Sequence, residues 1–325
     1  MAVSPELYSA SQIAVRDCMG LQPGERVMVI TDEPCRSIGQ AIFRVTQDFG
    51  NEVFLIEITP RRTHGEEPPA EVADLMQRVD LVLCPTSKSM THTNAKRAAA
   101  AKGVRVCTLP GVTEDMMVRC MNADYFKIAD LTNKLAAMMD QTSVIRVTAP
   151  RGTDITMPVK GRKTIPSHGL FREKGRGGNL PTGEAFLAPL EGQSQGVVVV
   201  DGSMSGVGIV KTPIRIEVRD GFAEEITGGE ESMKLKELLE LHGRLSRNVA
   251  EFGIGTNDRA KITGLILEDE KVLGTIHVAF GDNVTMGGTV NVPSHLDGLV
   301  LSPTVWFDDR KVMENGKLLV SWEIG

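Results

Sequence analysis

The residues best suited to chemistry lie in two stretches near the C-terminus: Thr275–Asn283, which contains His277, and Val292–Asp297, which contains His295 and Asp297. In a β-strand, residues two apart project from the same face, so His295 and Asp297 are placed to bind one ion. His277 lies eighteen residues before His295 (295 minus 277), across a Gly-rich connection that lets adjacent strands bring three ligands together. The alternative is a chance His-x-Asp spacing and a core histidine with satisfied hydrogen bonds.

Two glutamates in the same half of the chain are further candidate ligands. Glu184 follows the turn-forming segment Asn179–Gly183 and is expected at the rim of a sheet, and Glu251 lies among small and apolar residues in Asn248–Gly255. Burying an ionised carboxylate is costly unless it is paired, and a metal ion favours its charged form. The alternative for each is a glutamate in a surface turn.

The first 140 residues alternate amphipathic helices with short apolar strands. A helical stretch around Leu7–Cys18 precedes the buried strand Arg26–Thr31, and the alternation continues to a helix at Asp124–Met139. This alternation is typical of a parallel sheet with helices on both faces. We therefore predict an α/β N-terminal domain over residues 1–140 with a mostly parallel sheet.

After residue 140, short β-rich runs are separated by Gly, Pro and Asp, which favours antiparallel sheet. One amphipathic helix, Ser232–Leu245, interrupts these runs, and the last predicted strand is Lys317–Trp322. Gly175–Gly178 lacks the preceding strand and following helix of a phosphate loop, so we expect a flexible segment near the active site. We predict a β-rich, metal-binding catalytic domain over residues 141–325, and hence a two-domain α+β protein.

Composition and charge exclude several functional classes. The 325 residues include 41% hydrophobic and 24% charged residues, an ordinary globular composition for two domains. The net charge of -6 offers no broad basic surface, so we expect neither nucleic acid nor a membrane as a partner. The N-terminus lacks a signal-peptide pattern and no apolar run approaches ~18 residues, which predicts a cytoplasmic protein. The five irregularly spaced cysteines are expected to be reduced and mostly buried.

These candidate ligands resemble those of the metallo-aminopeptidases typified by aminopeptidases T and S, and the resemblance spans nearly the whole chain. It rests on the motifs Pro-Thr-Gly-Glu, Asn-x-x-Glu, His-x-Ala-x-Gly and His-x-Asp. It implies two divalent ions that are bridged by Glu251. The five ligands that it implies are Glu184, Glu251, His277, His295 and Asp297. The acidic stretch Asp269-Glu270 implies that Glu270 is a general base beside a metal-bound water, the alternative being a solvated turn.

The chain departs from those peptidases at Val284, where they carry a tyrosine ligand. Its C-terminal half also resembles the 2,5-dihydroxypyridine dioxygenases, which implies one ferrous ion held by two histidines and an aspartate. Their His-x-Asp pair matches His295 and Asp297, whereas their other histidine aligns with Glu251. His277 is then the residue that can complete a His-His-Asp set with open coordination positions.

Three hypotheses follow. The leading one is a metal-dependent, aminopeptidase-like hydrolase that cleaves an amide bond with water activated by Zn²⁺, Co²⁺ or Mn²⁺. The alternative is a non-haem Fe(II) ring-cleaving dioxygenase, and the third is a binding protein without catalytic activity. We expect a small molecule or short peptide as substrate and assign no residues to an organic cofactor. A homodimer is implied by the resemblance and by sheet edges that need covering.

Overall fold

The computed structural model describes residues 3–320, and their packing defines two compact units. Unit 1 comprises the residues up to Phe126 and the segment Gly169–Thr182; unit 2 comprises Lys127–His168 and the residues from Gly183 onward. This division differs from the single boundary predicted after residue 140, because the chain returns once from unit 2 to unit 1. The predicted class, a parallel α/β part followed by a β-rich part, is confirmed.

Unit 1 is built on a five-stranded sheet whose pairings are all parallel. Its strands, in the spatial order β2-β1-β3-β4-β8, are β1 (Val27–Thr31), β2 (Val53–Glu57), β3 (Leu81–Thr86), β4 (Arg105–Pro110) and β8 (Gly177–Asn179). The helices of the N-terminal region are α1 (Pro5–Gln12), α2 (Arg36–Asp48), α3 (Ala70–Met76), α4 (Asn94–Ala101), α5 (Glu114–Met121) and α6 (Tyr125–Met139), the last of which lies mostly in unit 2.

Hydrophobic periodicity explains these elements. All five residues of β1 are buried, because helices cover both faces of the sheet at this central strand. In α2, the buried residues Ile38, Ala41, Ile42 and Val45 recur at helical spacing and form one face.

The glycines at 177 and 178 are not the flexible segment that we predicted, because Gly177–Asn179 forms β8 beside β4. A Cβ atom at Gly177 would lie 1.9 Å from the carbonyl oxygen of Val106. The glycine therefore permits close strand pairing, and this signal was mistaken for flexibility.

Unit 2 contains two antiparallel sheets. The eight-stranded sheet has the order β14-β13-β10-β6-β5-β18-β19-β20, with β5 (Val144–Thr148), β6 (Asp154–Pro158), β10 (Gln195–Val200), β13 (Ile214–Arg219), β14 (Phe222–Thr227), β18 (Thr304–Phe307), β19 (Arg310–Glu314) and β20 (Lys317–Leu318). The seven-stranded sheet has the order β12-β11-β17-β16-β15-β9-β7, with β7 (Ile165–Ser167), β9 (Glu184–Leu187), β11 (Ser203–Met204), β12 (Gly208–Ile209), β15 (Val249–Gly255), β16 (Ile276–Gly281) and β17 (His295–Val300).

One hydrophobic core serves both sheets of unit 2. It combines Val198 and Ile216 of the eight-stranded sheet with Phe252, Val278 and Val300 of the seven-stranded sheet. Burial of this apolar area, worth roughly 25 cal/mol per Å², stabilises the packing of the two sheets against each other.

Two predicted elements of unit 2 differ from the structure. The predicted helix Ser232–Leu245 is α7 (Glu230–Glu240), because Gly243 adopts a φ of 72° and a separate 3-10 turn follows. The predicted strand Lys317–Trp322 is described only to residue 320, and its remaining residues lie outside the described range. A second short helix, α8 (Ile266–Asp269), precedes β16.

The expectation for the cysteines is confirmed, since all five are free and buried. Within residues 3–320, no helix has the length and apolarity that a membrane crossing requires.

Candidate metal centre

The five predicted ligands share one face of the seven-stranded sheet. Strand pairing aligns Glu184 with Gly255, Gly253 with His277, and Ala279 with both Glu251 and Asp297. His295 pairs with Gly281, two residues further along β16. Because directly paired residues lie on the same face and side chains alternate with a period of two, all five side chains point to one side.

Small residues occupy this face between the ligands. Gly253, Gly255, Ala279 and Gly281 alternate with the core residues of β15 and β16. Gly253 lies directly under the His277 ring, where an added Cβ would be 2.1 Å from Nε2. The glycine therefore creates the space that the imidazole fills.

Glu251 lies between the two histidines. Its Oε1 is 3.0 Å from His277 Nε2, and its Oε2 is 3.1 Å from His295 Nε2. His277 is fully buried, whereas the His295 side chain is 32% exposed. The centre is therefore accessible on the His295 side.

Hydrogen bonds to the backbone and to a serine orient the His295–Asp297 pair. His295 Nδ1 is 2.8 Å from the carbonyl oxygen of Asp282, and His295 Nε2 is 3.3 Å from Asp297 Oδ1. The Asp297 N–H donates to Ser205 Oγ at 3.0 Å, and this hydroxyl lies 3.4 Å from Asp297 Oδ2. Contacts of this kind fix the tautomer and orientation of metal ligands.

A buried lysine occupies the other side of the centre. Lys271 Nζ donates to Glu184 Oε1 at 2.7 Å and also to Glu270 Oε1. The second oxygen of Glu184, Oε2, is 3.6 Å from His277 Nε2 and has no hydrogen-bond partner within the described chain, although it is buried.

Three groups of these side chains bring ligand atoms within 4.8 Å of one another. They are Glu184 with Glu251 and His277, Glu251 with His295 and Asp297, and Glu270 with His277 and Asp297. The carboxylate and imidazole donors, together with the unsatisfied Glu184 oxygen, fit a divalent metal ion. Among residues 3–320, none of these groups contains both histidines.

Burial and the concentration of acidic groups shift the pKa values of side chains at the centre. Burial raises the pKa of Glu270 to about 8, and the charges of Glu184 and Asp297 add to the effect although Lys271 opposes it. Burial lowers the pKa of His277, but the hydrogen bond to Glu251 and the nearby carboxylates outweigh it and raise the value to about 9. For His295, burial is likewise outweighed, mainly by Asp297, and its pKa lies well above the ordinary value.

The structure brings all six predicted site residues together, including Glu270, which follows α8 at the centre rather than in a solvated turn. Val284, at the position of the tyrosine ligand in the peptidases, is 46% exposed in a 3-10 turn. Sequence reasoning missed Ser205 and Lys271. The one signal for Lys271 was a basic residue directly after Glu268-Asp269-Glu270, a run of charges that by itself fits an exposed turn.

Comparison with known proteins places the chain in a family. The sequence matches the family model NicX, 2,5-dihydroxypyridine 5,6-dioxygenase, over residues 8–320. This chain belongs to the 2,5-dihydroxypyridine 5,6-dioxygenase family. No curated protein matches the sequence.

Two solved structures share the dioxygenase-family scaffold of this chain. The 2,5-dihydroxypyridine dioxygenase from Pseudomonas putida KT2440 superposes with a TM-score of 0.83 at 18% identity, covering 98% of this chain and 99% of its own. Wild-type AmpT from Thermus thermophilus gives a TM-score of 0.69 at 17% identity, covering 98% of this chain and 100% of its own. At these identities the likeness concerns the fold. The findings support an enzyme, and they favour a dioxygenase over the hydrolase that we ranked first from the sequence.

Proposed function

We propose that this chain is a non-haem Fe(II) dioxygenase that opens the ring of a hydroxylated N-heteroaromatic compound, with 2,5-dihydroxypyridine as the first substrate to test. The observation that carries the proposal is the family match over residues 8–320. The cluster of Glu251, His295 and Asp297, on the accessible side of the centre, supplies the donors that would hold the ion.

The donor set bears on the choice of metal. The ligand set of the dioxygenases, as the resemblance implies it, has two imidazoles and one carboxylate, whereas Glu251, His295 and Asp297 offer one imidazole and two carboxylates. Glu251 therefore adds a negative charge where the dioxygenases have a neutral ring. His277, 3.0 Å from Glu251, keeps a second imidazole beside the ligands. Fe(II) held by these residues would mediate the passage of electrons from the aromatic ring, which is oxidised, to dioxygen, which is reduced.

The chain's own groups orient the ring and move its protons. Because His295 is the partly exposed ligand, the substrate approaches from its side of the centre. Glu270, with a pKa of about 8, exchanges a proton near neutral pH and is the group that we assign to accept the proton of a ring hydroxyl. Burial of Glu184, Glu251 and His277 keeps water away from the rest of the centre.

The proposal is tested with protein purified without chelator and reloaded with Fe(II) under anaerobic conditions. On addition of 2,5-dihydroxypyridine and air, we expect loss of the aromatic absorbance and uptake of one dioxygen per ring opened. The His295→Ala variant, treated identically, is the control for iron in solution. Substrate loss without oxygen uptake would contradict the proposal.

A second candidate is the metallo-hydrolase. It is favoured by the four carboxylates at the centre, Glu184, Glu251, Glu270 and Asp297, because carboxylate-rich sites suit pairs of hydrolytic metal ions. Cleavage of aminoacyl-anilides by the Zn²⁺, Co²⁺ or Mn²⁺ protein, without oxygen uptake, would favour this candidate.

A further inference from the structure

A lysine, Lys271, is buried at the metal centre. Its side chain is 2% exposed, although lysine is almost never fully buried unless it is paired. The backbone holds it in place: its N–H donates to Glu268 O at 2.9 Å, and its carbonyl oxygen accepts from Asn257 N at 2.9 Å. A Cβ at Gly255 would lie 2.7 Å from the Lys271 carbonyl carbon, so this segment packs directly on β15.

The ammonium group lies between two carboxylates that a second metal ion would need. Lys271 Nζ is 2.7 Å from Glu184 Oε1 and is hydrogen-bonded to Glu270 Oε1. A metal ion binds carboxylate oxygen at about 2.0–2.2 Å, so it cannot share Glu184 Oε1 or Glu270 Oε1 with an ammonium at hydrogen-bond distance. The ammonium therefore leaves a second ion at most one oxygen of each carboxylate. Repulsion between a divalent ion and the ammonium would add to the steric conflict.

The other side of the centre has a different balance of charge. Within the described chain, the ion pairs of Glu251 and Asp297 are made with His277 and His295. Imidazole nitrogens can themselves bind a metal ion, whereas a lysine ammonium has no lone pair to offer. A metal ion can therefore take the partners of Glu251 and Asp297 as ligands, but beside Glu184 and Glu270 it has to displace the ammonium.

We propose that Lys271 is a built-in cation that neutralises Glu184 and Glu270 in place of a second metal ion, so that the centre binds one ion per chain, on the side of Glu251, His295 and Asp297. The inference rests on the metal centre of the proposed function, but not on iron or oxygen chemistry. It also separates the two candidate functions, because the two-metal hydrolase requires the Glu184 side of the centre.

The test is a metal titration of chelator-treated protein with Mn²⁺ alone, read by elemental analysis and by electron paramagnetic resonance. We expect one ion and an uncoupled Mn²⁺ spectrum for the native chain. In Lys271→Met, the freed carboxylates should admit a second ion, giving two per chain and the spin-coupled spectrum of ions about 3.5–4 Å apart. The exposed Lys234→Met variant is the matched control and should bind one.

One further variant and one folding measurement keep the test decisive. Lys271→Met/Glu184→Gln removes one carboxylate together with the cation and should return to one ion. If Lys271→Met is unfolded without metal, excess Mn²⁺ should restore its folding, since an ion can then take the place of the ammonium; failure to restore it contradicts the proposal.

The outcomes distinguish this inference from the proposed function. Two ions in the native chain, or one ion in folded Lys271→Met, would overturn the role of Lys271 and leave the metal centre intact. No bound ion in the native chain would overturn the metal centre itself.

Discussion

Glu251 is the residue at which this chain departs from the histidine and aspartate ligands that its resemblance to the dioxygenases implies. Each of its carboxylate oxygens faces one histidine, at 3.0 Å and 3.1 Å. It therefore couples the buried His277 to the accessible His295.

Loss of either member of the His295–Asp297 pair should weaken metal binding at least about tenfold, because a site with so few ligands cannot compensate for one. We expect His295→Ala and Asp297→Ala to be inactive, with the far-UV circular dichroism of the native chain. Elemental analysis after gel filtration measures the bound metal. Full occupancy in either variant would exclude that residue as a ligand.

Glu251→His should shift the metal preference towards Fe(II) and away from Mn²⁺. The substitution exchanges a charged oxygen donor for an imidazole, which suits iron better and restores the histidine that the dioxygenase resemblance implies. Competition between the two ions, measured under anaerobic conditions, gives the ratio of affinities in variant and native chain. An unchanged or lower Fe(II)/Mn²⁺ ratio would show that Glu251 does not set the metal preference.

Metal binding should become tighter as the pH rises from about 6.5 to 9. In the metal-free protein the pKa of His277 is about 9 and that of His295 is well raised, so bound metal must displace their protons. Calorimetry in buffers of different ionisation enthalpy should show proton release at about pH 7.5, and less release in His295→Ala. Affinity that is independent of pH would contradict this.

The same protons stabilise the metal-free fold. Because the folded-state pKa of His277 lies above its ordinary value, its stabilisation is complete below about pH 6.5 and is lost as the pH rises through 9. Glu270 acts in the same direction, since its raised pKa disfavours the folded state as it ionises towards pH 8. The thermal midpoint of the metal-free protein should therefore fall across this range.

At the residue scale, the sequence predicted which side chains meet but not how their charges are balanced. Ligand types and period-two spacing are local properties, and they led to His277, His295 and Asp297. The ammonium of Lys271 reaches Glu184, a residue 87 positions away, and only the packing of the Lys271–Val272 backbone against β15 brings them together. Such a pairing leaves no periodic signal in the sequence.

Among the elements, β15 and β16 do most to shape the centre. Gly253 and Gly255 leave room on β15 for the His277 ring and for the Lys271 backbone. Period-two alternation places Phe252, Ile254, Ile276 and Val278 on the opposite, core-facing side. One pair of strands therefore provides both the hydrophobic anchor and the open face.

Gly253→Ala should displace the His277 ring and cost about 1–3 kcal/mol of stability through overpacking. We expect weaker metal binding in addition, because Glu251 would lose its hydrogen bond to His277. Gly202→Ala is the matched control: its Cβ would meet the Leu299 Cβ at 3.0 Å, so it should lose stability but keep its metal affinity. Equal metal affinities in the two variants would show that His277 does not contribute to metal binding.

The element predictions succeeded where a hydrophobic period was strong and failed where glycine had a positional role. The alternation in the first half identified β1 and α6. Gly243 ended α7 before Leu245, and Gly177 formed a close strand pair instead of a flexible loop. The sequence alone does not distinguish a glycine that ends a helix from one that permits close contact between strands.

At the scale of the whole molecule, the homodimer stays a prediction. Its basis is the family resemblance and the need to cover the edge strands of the sheets in unit 2. Light scattering at micromolar concentration should give twice the mass of the 35.2 kDa chain. A monomer under these conditions would contradict it.

The fold class followed from the sequence because the change from helix-strand alternation to β-rich runs is a property of long segments. The reaction did not follow, since one scaffold is shared by the Pseudomonas putida dioxygenase and by AmpT. The family match over residues 8–320 moved the preference from hydrolase to dioxygenase.

The most direct test of the proposed dioxygenase reaction is to determine the source of the oxygen atoms in the product. The Fe(II)-loaded protein is given 2,5-dihydroxypyridine under ¹⁸O₂ in unlabelled water, and the product is analysed by mass spectrometry. A dioxygenase places both labelled atoms in the ring-opened product, and this is the result that we predict. An unlabelled product, with oxygen derived from water, would contradict the dioxygenase and return the centre to hydrolysis.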